Sequence, residues 1–393
     1  MEITKDILYV GVNDHQVDLF EGHYIVPEGM AYNSYVIMDE KIAVMDSVDG
    51  KFTDEWLANI KAVLGDKTPD YLIVQHMEPD HSGSIRGFMA EFPEAVIVSS
   101  QKAFNMMKNF FEGEEFADRR IVVKEGDTLD LGAHKLSFIA AAMIHWPEVI
   151  MTYDSTDKVF FSADAFGKFG AHDVPPGGEE DDGWACEARR YYFGIVGKYG
   201  TQVQGLLKKA AALDIQIICP LHGPVLSEDL GYYLDLYNTW SSYGVETKGV
   251  VIAYTSVYGN TKTAVELLAE KLEEKGVPKV AVNDLARSDI AECVEDAFRY
   301  DTIVFATTTF NNDVFPFMKE FINHLTERNF QNKRVAFIEN GSWAPQATKR
   351  MKAMLEGCKN LEYAENGVTI LSALNDASRA QVEALAEELA AAY

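Results

Sequence analysis

The sequence predicts two α/β bodies. Residues 1–246 read as an α+β fold, a β-sandwich flanked by helices, and residues 247–393 as a doubly wound parallel sheet of five strands. Three observations carry this. Residues 1–60 alternate short apolar runs with turn formers, the pattern of an antiparallel meander. Four later strand-like runs each end in a histidine or an acidic residue followed by turn formers. From residue 250 onward, apolar runs alternate regularly with amphipathic helical stretches.

A length of 393 residues suits two or three domains, each able to bury its own core. The 47% hydrophobic and 24% charged fractions are those of an ordinary soluble chain. A formal charge of −26 argues against nucleic acid as a partner, because neutralising phosphates needs a basic surface. The same sign argues against an anionic membrane, and otherwise serves solubility. The opening Met-Glu-Ile-Thr-Lys-Asp shows no secretory signal, and no apolar run approaches the ~20 residues of a spanning helix. Cys186, Cys219, Cys293 and Cys358 form no Cys-x-x-Cys pair, as expected of free thiols in a reducing cytoplasm.

In the first domain, strands are expected at 7–11, 33–38 and 41–45. A helix over 51–64 places Phe52, Trp56, Leu57, Ile60, Val63 and Leu64 on one face. A buried strand follows at 71–75, then a helix carrying Ile85, Phe88 and Met89, a strand at 95–99, a helix at 102–111 and a hairpin over 129–139. Asp46 ends the third strand. Residues 168–187, rich in Gly, Pro and acidic side chains, read as a long functional loop in which His172 is solvated. A helix at 201–212, a strand at 215–219 and a helix at 230–241 close the domain.

The strand at 71–75 runs into His76, Glu78, Asp80 and His81, four potential metal ligands in one short run. A strand that ends in such a loop presents these side chains at the carboxyl edge of its sheet. His145 lies in Ile-His-Trp-Pro, Asp164 in Phe-Phe-Ser-Ala-Asp-Ala-Phe-Gly and His222 in Cys-Pro-Leu-His-Gly-Pro. Any one of these alone is more often a satisfied structural residue. Four segments of the same design favour a shared metal site, and seven candidate ligands exceed the needs of a closed tetrahedral structural site.

In the second domain, Val250-Val-Ile-Ala-Tyr254 precedes a loop of Thr255, Ser256, Val257, Tyr258, Gly259, Asn260 and Thr261, and a helix over 262–275 follows. A hydroxyl- and glycine-rich loop opening a helix is a phosphate cradle, where backbone N–H groups and the helix dipole meet the anion. The chain here has neither a P-loop lysine nor Gly-x-Gly-x-x-Gly, which argues against a nucleoside triphosphate and a dinucleotide. Strands near 279–283, 302–306, 334–338 and 369–371 alternate with helices near 289–298, 315–327, 347–355 and 376–391. The third and fourth strands lead into Thr308, Thr309, Phe310, Asn311 and Asn312, and into Gly341, Ser342 and Trp343.

The order of the ligand segments resembles the metallo-β-lactamase-like αββα sandwich, and their details resemble the flavodiiron proteins. Glu78 stands where the zinc hydrolases of that fold usually carry a histidine, and a harder anionic oxygen suits iron. The resemblance implies that His76, Glu78 and His145 hold one iron, that Asp80, His81 and His222 hold the other, and that Asp164 bridges them. In some members the histidine equivalent to His81 turns away from the metal. It also implies that His23 reaches over the pocket, and that Tyr191 or Tyr192 offers a phenolic hydrogen bond to the bound substrate; on the residues alone, either tyrosine fits. The second half resembles flavodoxin, which implies FMN held by the three loops, with Phe310 or Trp343 stacked on the isoalloxazine. The Trp343 loop departs from the family pattern, since no glycine directly follows the aromatic.

The family's activity is reduction of dioxygen to water or of nitric oxide to nitrous oxide, by electrons that pass through FMN to the irons. Without Cys-x-x-Cys pairs the chain has no rubredoxin module, so the donor is expected to be a separate molecule such as rubredoxin, a reduced deazaflavin or a reductase. The resemblance further implies a head-to-tail C2 homodimer, extendable to a dimer of dimers. The competing expectation is a dizinc hydrolase of the metallo-β-lactamase fold with an accessory flavodoxin domain.

Overall fold

The structure, a computed structural model, describes residues 1–114, 116–172 and 183–393. Residues 173–182, half of the expected loop at 168–187, therefore lie outside the described residues. The chain divides into two compact units, Met1–Asn238 and Thr239–Tyr393. That division falls inside the helix Leu230–Ser241, ahead of the 246/247 boundary expected from the pattern change.

The first unit is built on two sheets. One runs in the order Ile7–Tyr9, Tyr35–Ile37, Ala43–Met45, Tyr71–Ile73, Val96–Ser99 and Arg120–Val122. Its first three strands pair antiparallel, as a meander requires, and the rest are parallel. The other runs Thr128–Asp130, Lys135–Ala140, Ile150–Asp154, Val159–Phe161 and Ile217–Cys219, with only the last pair parallel. Tyr35, Met45, Ile73 and Val98 of the first sheet share a core with Phe138, Ile150, Phe161 and Cys219 of the second. Their alternates Val36, Val44, Leu72 and Ile97 are also fully buried, so the first sheet is covered on both faces. This explains why its strands read as continuous apolar runs. Trp56, Leu57, Ile60 and Leu64 form the buried face of the helix Thr53–Leu64, and Trp56 packs on Phe88 with ring centroids 5.6 Å apart. Ser100 caps Gln101–Phe110 by accepting from the Ala103 N–H, a contact of about 1 kcal/mol.

The second unit has a parallel sheet in the order Val280–Asp284, Thr247–Tyr254, Tyr300–Phe310 and Arg334–Asn340. The fifth position is split between Glu362–Tyr363 and Val368–Ile370, both paired to Arg334–Asn340. One face packs Val250, Ile252, Val304 and Ile338 against Leu268 and Leu272 of the helix Asn260–Glu274 and Leu385 of Asp376–Ala390. The last helix starts in a capping box between Asn375 and Ser378. The strand order reverses between Thr247–Tyr254 and Tyr300–Phe310, and doubly wound sheets open a crevice at such a reversal.

Candidate functional site

Seven side chains converge in the first unit. His76, Glu78, His145 and Asp164 form one group and Asp80, His81 and His222 another, with the ligating atoms of each group within 4.8 Å of one another. The strand ends explain the meeting. His76 follows Tyr71–Ile73, Asp164 follows Val159–Phe161, His222 follows Ile217–Cys219, and His145 lies on the connection between Lys135–Ala140 and Ile150–Asp154. Asp80 and His81 sit in the short helix Pro79–Ser82. Asp164 faces both groups: its Oδ2 lies 3.0 Å from His145 Nε2 and 3.4 Å from His76 Nε2, and its Oδ1 lies 3.4 Å from His81 Nε2. His81 turns inward, its Nε2 2.9 Å from His222 Nε2.

Second partners aim the histidines. His222 Nδ1 contacts the Ala31 carbonyl at 2.8 Å and His76 Nδ1 contacts Glu148 Oε1 at 2.8 Å, which leaves Nε2 of each for the site. Asn33 Nδ2 ties down the His222 loop through the carbonyls of Pro220 and Gly223, at 2.9 and 2.8 Å. His172, expected to be solvated, is instead partly buried, with its Nε2 2.8 Å from Asn33 Oδ1. Ser47 Oγ donates to the His81 carbonyl at 2.6 Å. Asp46, held by the Gln75 backbone N–H at 2.6 Å, is pushed up to about 6, by burial against its hydrogen bonds.

The electrostatics are those of a cation site. Burial alone would raise the carboxyls, yet the neighbouring histidines hold Glu78 down at about 2 and push Asp80 and Asp164 well below the usual carboxylate range. Burial would lower the histidines, yet the carboxylates lift His145 to about 9 and raise His76 and His81. Asp80 Oδ1 is buried with no hydrogen-bond donor among the described residues, and Asp80 Oδ2 and Asp164 Oδ1 meet only the imidazoles of the site, at 3.2 and 3.4 Å from His81 Nε2. Bare buried carboxylate oxygens are costly unless a cation meets them, and facing imidazole nitrogens are costly for the same reason. The residues fit a pair of metal ions, and the three carboxylates beside four imidazoles suit iron.

The two tyrosines separate. Tyr191 is fully buried 5.5 Å from the His222 ring, and its hydroxyl has no partner among the described residues. Burial first, then the charges of Asp164, Glu78 and Asp80, push its phenol up. Tyr192 instead packs on Phe193 and Tyr237. A π-helical turn, Tyr192–Val196, follows Tyr191 directly, and such turns recur at functional sites. The turn also receives the hairpin of Leu19–Phe20 and Tyr24–Ile25: Tyr24 donates to the Gly194 carbonyl at 2.8 Å, and a Cβ on Gly194 would stand 2.9 Å from the Tyr24 ring. His23 on that hairpin is exposed and lies against Tyr24, ring centroids 4.0 Å apart. The hairpin residue brought to the cluster is Glu21, which sequence reading passed over. Glu21 keeps an exposed surface, yet desolvation by its crowded surroundings, then the charge of Glu78 and a hydrogen bond to it, push its carboxyl up to about 7. It sits at the hairpin turn with a φ of 47°, and a lone Glu before Gly carries no signal of its place in the site.

In the second unit, an open crevice of about 480 Å³ is lined by Ser256, Val257, Tyr258, Asn260 and Thr261, by residues 308–312, and by Gly341, Ser342 and Trp343. The structure adds Asn340, Ala344 and Ser372 to the expected walls. Thr255 lies beneath the crevice, bonded to Thr307 at 2.6 Å. Gly259 at φ +93° begins the helix, a conformation that favours glycine, and its N–H donates to Ser256 Oγ. Tyr258 and Trp343 stand 93% and 91% exposed at the rim, unusual for such rings and free to cover a flat ligand.

Fold and site together define a class: a two-domain chain with a metal-binding β-lactamase-type unit ahead of a flavodoxin-type unit. Known proteins agree. Residues 30–223 match the ODP family beta lactamase model and residues 251–387 a flavodoxin domain model. The anaerobic nitric oxide reductase flavorubredoxin of Salmonella arizonae is 31% identical over 361 residues, 90% of this chain and 74% of that protein. An uncharacterized protein of Methanocaldococcus jannaschii is 30% identical over 92% of this chain and 90% of its own. Among solved structures, rubredoxin oxygen:oxidoreductase from Desulfovibrio gigas superposes with a TM-score of 0.91 at 25% identity, covering 100% of this chain and 98% of that one. The flavodiiron protein from Giardia intestinalis gives 0.89 at 27%, covering 100% and 97%. The chain belongs to the flavodiiron proteins, oxidoreductases built on FMN and a non-haem diiron site.

Proposed function

We propose that this protein reduces dioxygen to water, nitric oxide to nitrous oxide, or both, at a diiron centre fed through FMN by an external donor. The observation that supports it most is the set of buried Asp80 and Asp164 carboxylate oxygens that meet no donor but the inward-facing histidines. His76, Glu78 and His145 would hold one iron and Asp80, His81 and His222 the other, with Asp164 between them. When bound, the metal pair supplies electrons and Lewis acidity to a diatomic substrate. Asp164, whose two oxygens face histidines of both groups, would be shared between the two positions. The Tyr191 hydroxyl donates a hydrogen bond to the substrate, and aromatic walls at Phe20, Phe169 and Tyr191 keep water out. Ser256, Thr261 and the helix start at Asn260 would hold the FMN phosphate, with Phe310, Trp343 or Tyr258 against the ring. No helix among the described residues is long and apolar enough to cross a membrane. A separate donor such as rubredoxin or a reduced deazaflavin, and a head-to-tail homodimer, complete the proposal.

The test is metal and flavin analysis of protein purified without oxygen. About two irons and one FMN per chain are expected, followed by comparison of turnover on dioxygen and on nitric oxide. Two zincs per chain from iron-rich expression would overturn the redox reading in favour of a hydrolase.

A further inference from the structure

The two groups of ligands are anchored differently. Glu148 is 2% exposed, and its Oε1 accepts from His76 Nδ1 at 2.8 Å and from the Met77 backbone N–H at 2.9 Å. Its segment is pinned in turn: Ser100 Oγ donates to the Glu148 carbonyl at 2.8 Å, and the Ile150 N–H donates to the Gln75 carbonyl, just before His76, at 3.1 Å. Trp146 meets the His76 ring edge to face at 5.3 Å, fixing its plane. In the other group, His222 has only a neutral carbonyl behind it, and His81 Nδ1 is buried with no partner among the described residues.

We infer that Glu148 is a positioning residue that makes the two metal positions inequivalent, strengthening the one held by His76, Glu78 and His145. A carboxylate behind an imidazole holds the proton on Nδ1, aims the Nε2 lone pair at the metal and increases its basicity. A carbonyl does so more weakly, and a bare nitrogen not at all. The first metal therefore loads beside Glu148, and the position served by His81 is the labile one. This rests on the metal-site reading above.

The test is titration of the metal-free full-length chain with cobalt(II), followed by visible absorption in competition with a chelator. Wild type is expected to bind two ions in resolved steps. Glu148→Gln, which keeps an acceptor but loses the charge, and Glu148→Leu, which loses both, are expected to weaken one step by about 10–100-fold, Leu more than Gln. The other step should stay unchanged. Melting curves and retained flavin report the fold, and the near-isosteric Gln variant decides the matter if Leu does not fold. Both steps unchanged, or both weakened equally, in a folded Gln variant would overturn the inference while leaving the metal site standing. A wild type that binds no cobalt would overturn both.

Discussion

Tyr191→Phe separates function from stability. The Tyr191 side chain is fully buried and its hydroxyl has no partner among the described residues. An unsatisfied buried hydroxyl costs about 1–3 kcal/mol, so its removal in the metal-free protein should stabilise the first unit or leave it neutral. At about 2–4 °C per kcal/mol for a unit of this size, the melting temperature rises by a few degrees. If the same hydroxyl donates to a substrate atom that gains charge, its loss costs roughly 1.5–3 kcal/mol in the transition state. That is roughly 10–150-fold in rate. The assay is stopped-flow reoxidation of the prereduced, metal- and FMN-loaded protein by dioxygen and by nitric oxide, which removes the donor from the measurement. Tyr192→Phe, altered at a ring packed on Phe193 and Tyr237, is the control and should react at the wild-type rate. Stabilisation with an unchanged rate would reduce Tyr191 to a filler of the pocket. A destabilised Phe variant would show that the hydroxyl has a structural partner, and the reasoning fails at its first step.

Two further outcomes follow from the second unit. Trp343, 91% exposed at the crevice, would cover one flavin face, about 100 Å² at ~25 cal/mol/Å². Trp343→Ala should therefore weaken FMN binding by roughly 2.5 kcal/mol, about 70-fold, in a flavin-fluorescence titration; an unchanged dissociation constant would place the ring elsewhere. Lys333 is buried with its ammonium on the carbonyls of Phe298 and Tyr300, and burial pulls it down to about 7 against the pull of Asp301 and Glu246. The unfolded chain keeps that proton to its ordinary value of 10.5, so between pH 7 and 9 the unfolded state binds more protons and stability rises with pH. Urea unfolding should show the wild type gaining roughly 2–3 kcal/mol over Lys333→Met across those two pH units, and parallel curves would contradict it.

The layers of the fold were legible because burial writes itself into period. Trp56, Leu57, Ile60 and Leu64 recur at helical spacing, and Val250 to Tyr254 are apolar without a break because both faces of that strand are covered. What escaped notice is what has no period. Leu19–Phe20 pairs with Tyr24–Ile25 in a hairpin of two-residue strands, too short for any alternation. The π turn at Tyr192–Val196 looks in sequence like more helix, and only Gly194, cleared for the Tyr24 ring, hints at it.

The site divides along the same line. The seven inward ligands lie beyond the ends of strands, in connecting loops and the short helix Pro79–Ser82, so the topology that builds the sheets also gathers them, and they were legible from four short segments. Their orientation is set by groups from elsewhere: Glu148 is 72 positions from His76, and Ala31 is 191 from His222. An orienting partner need only offer an acceptor near Nδ1, and a carboxylate or a backbone carbonyl serves from any part of the chain. No spacing rule follows from that requirement, so no motif records it. The distinction between the two metal positions is therefore carried by residues that the ligand motif does not contain, and a chain could keep all seven ligands while Glu148→Gln made the positions alike.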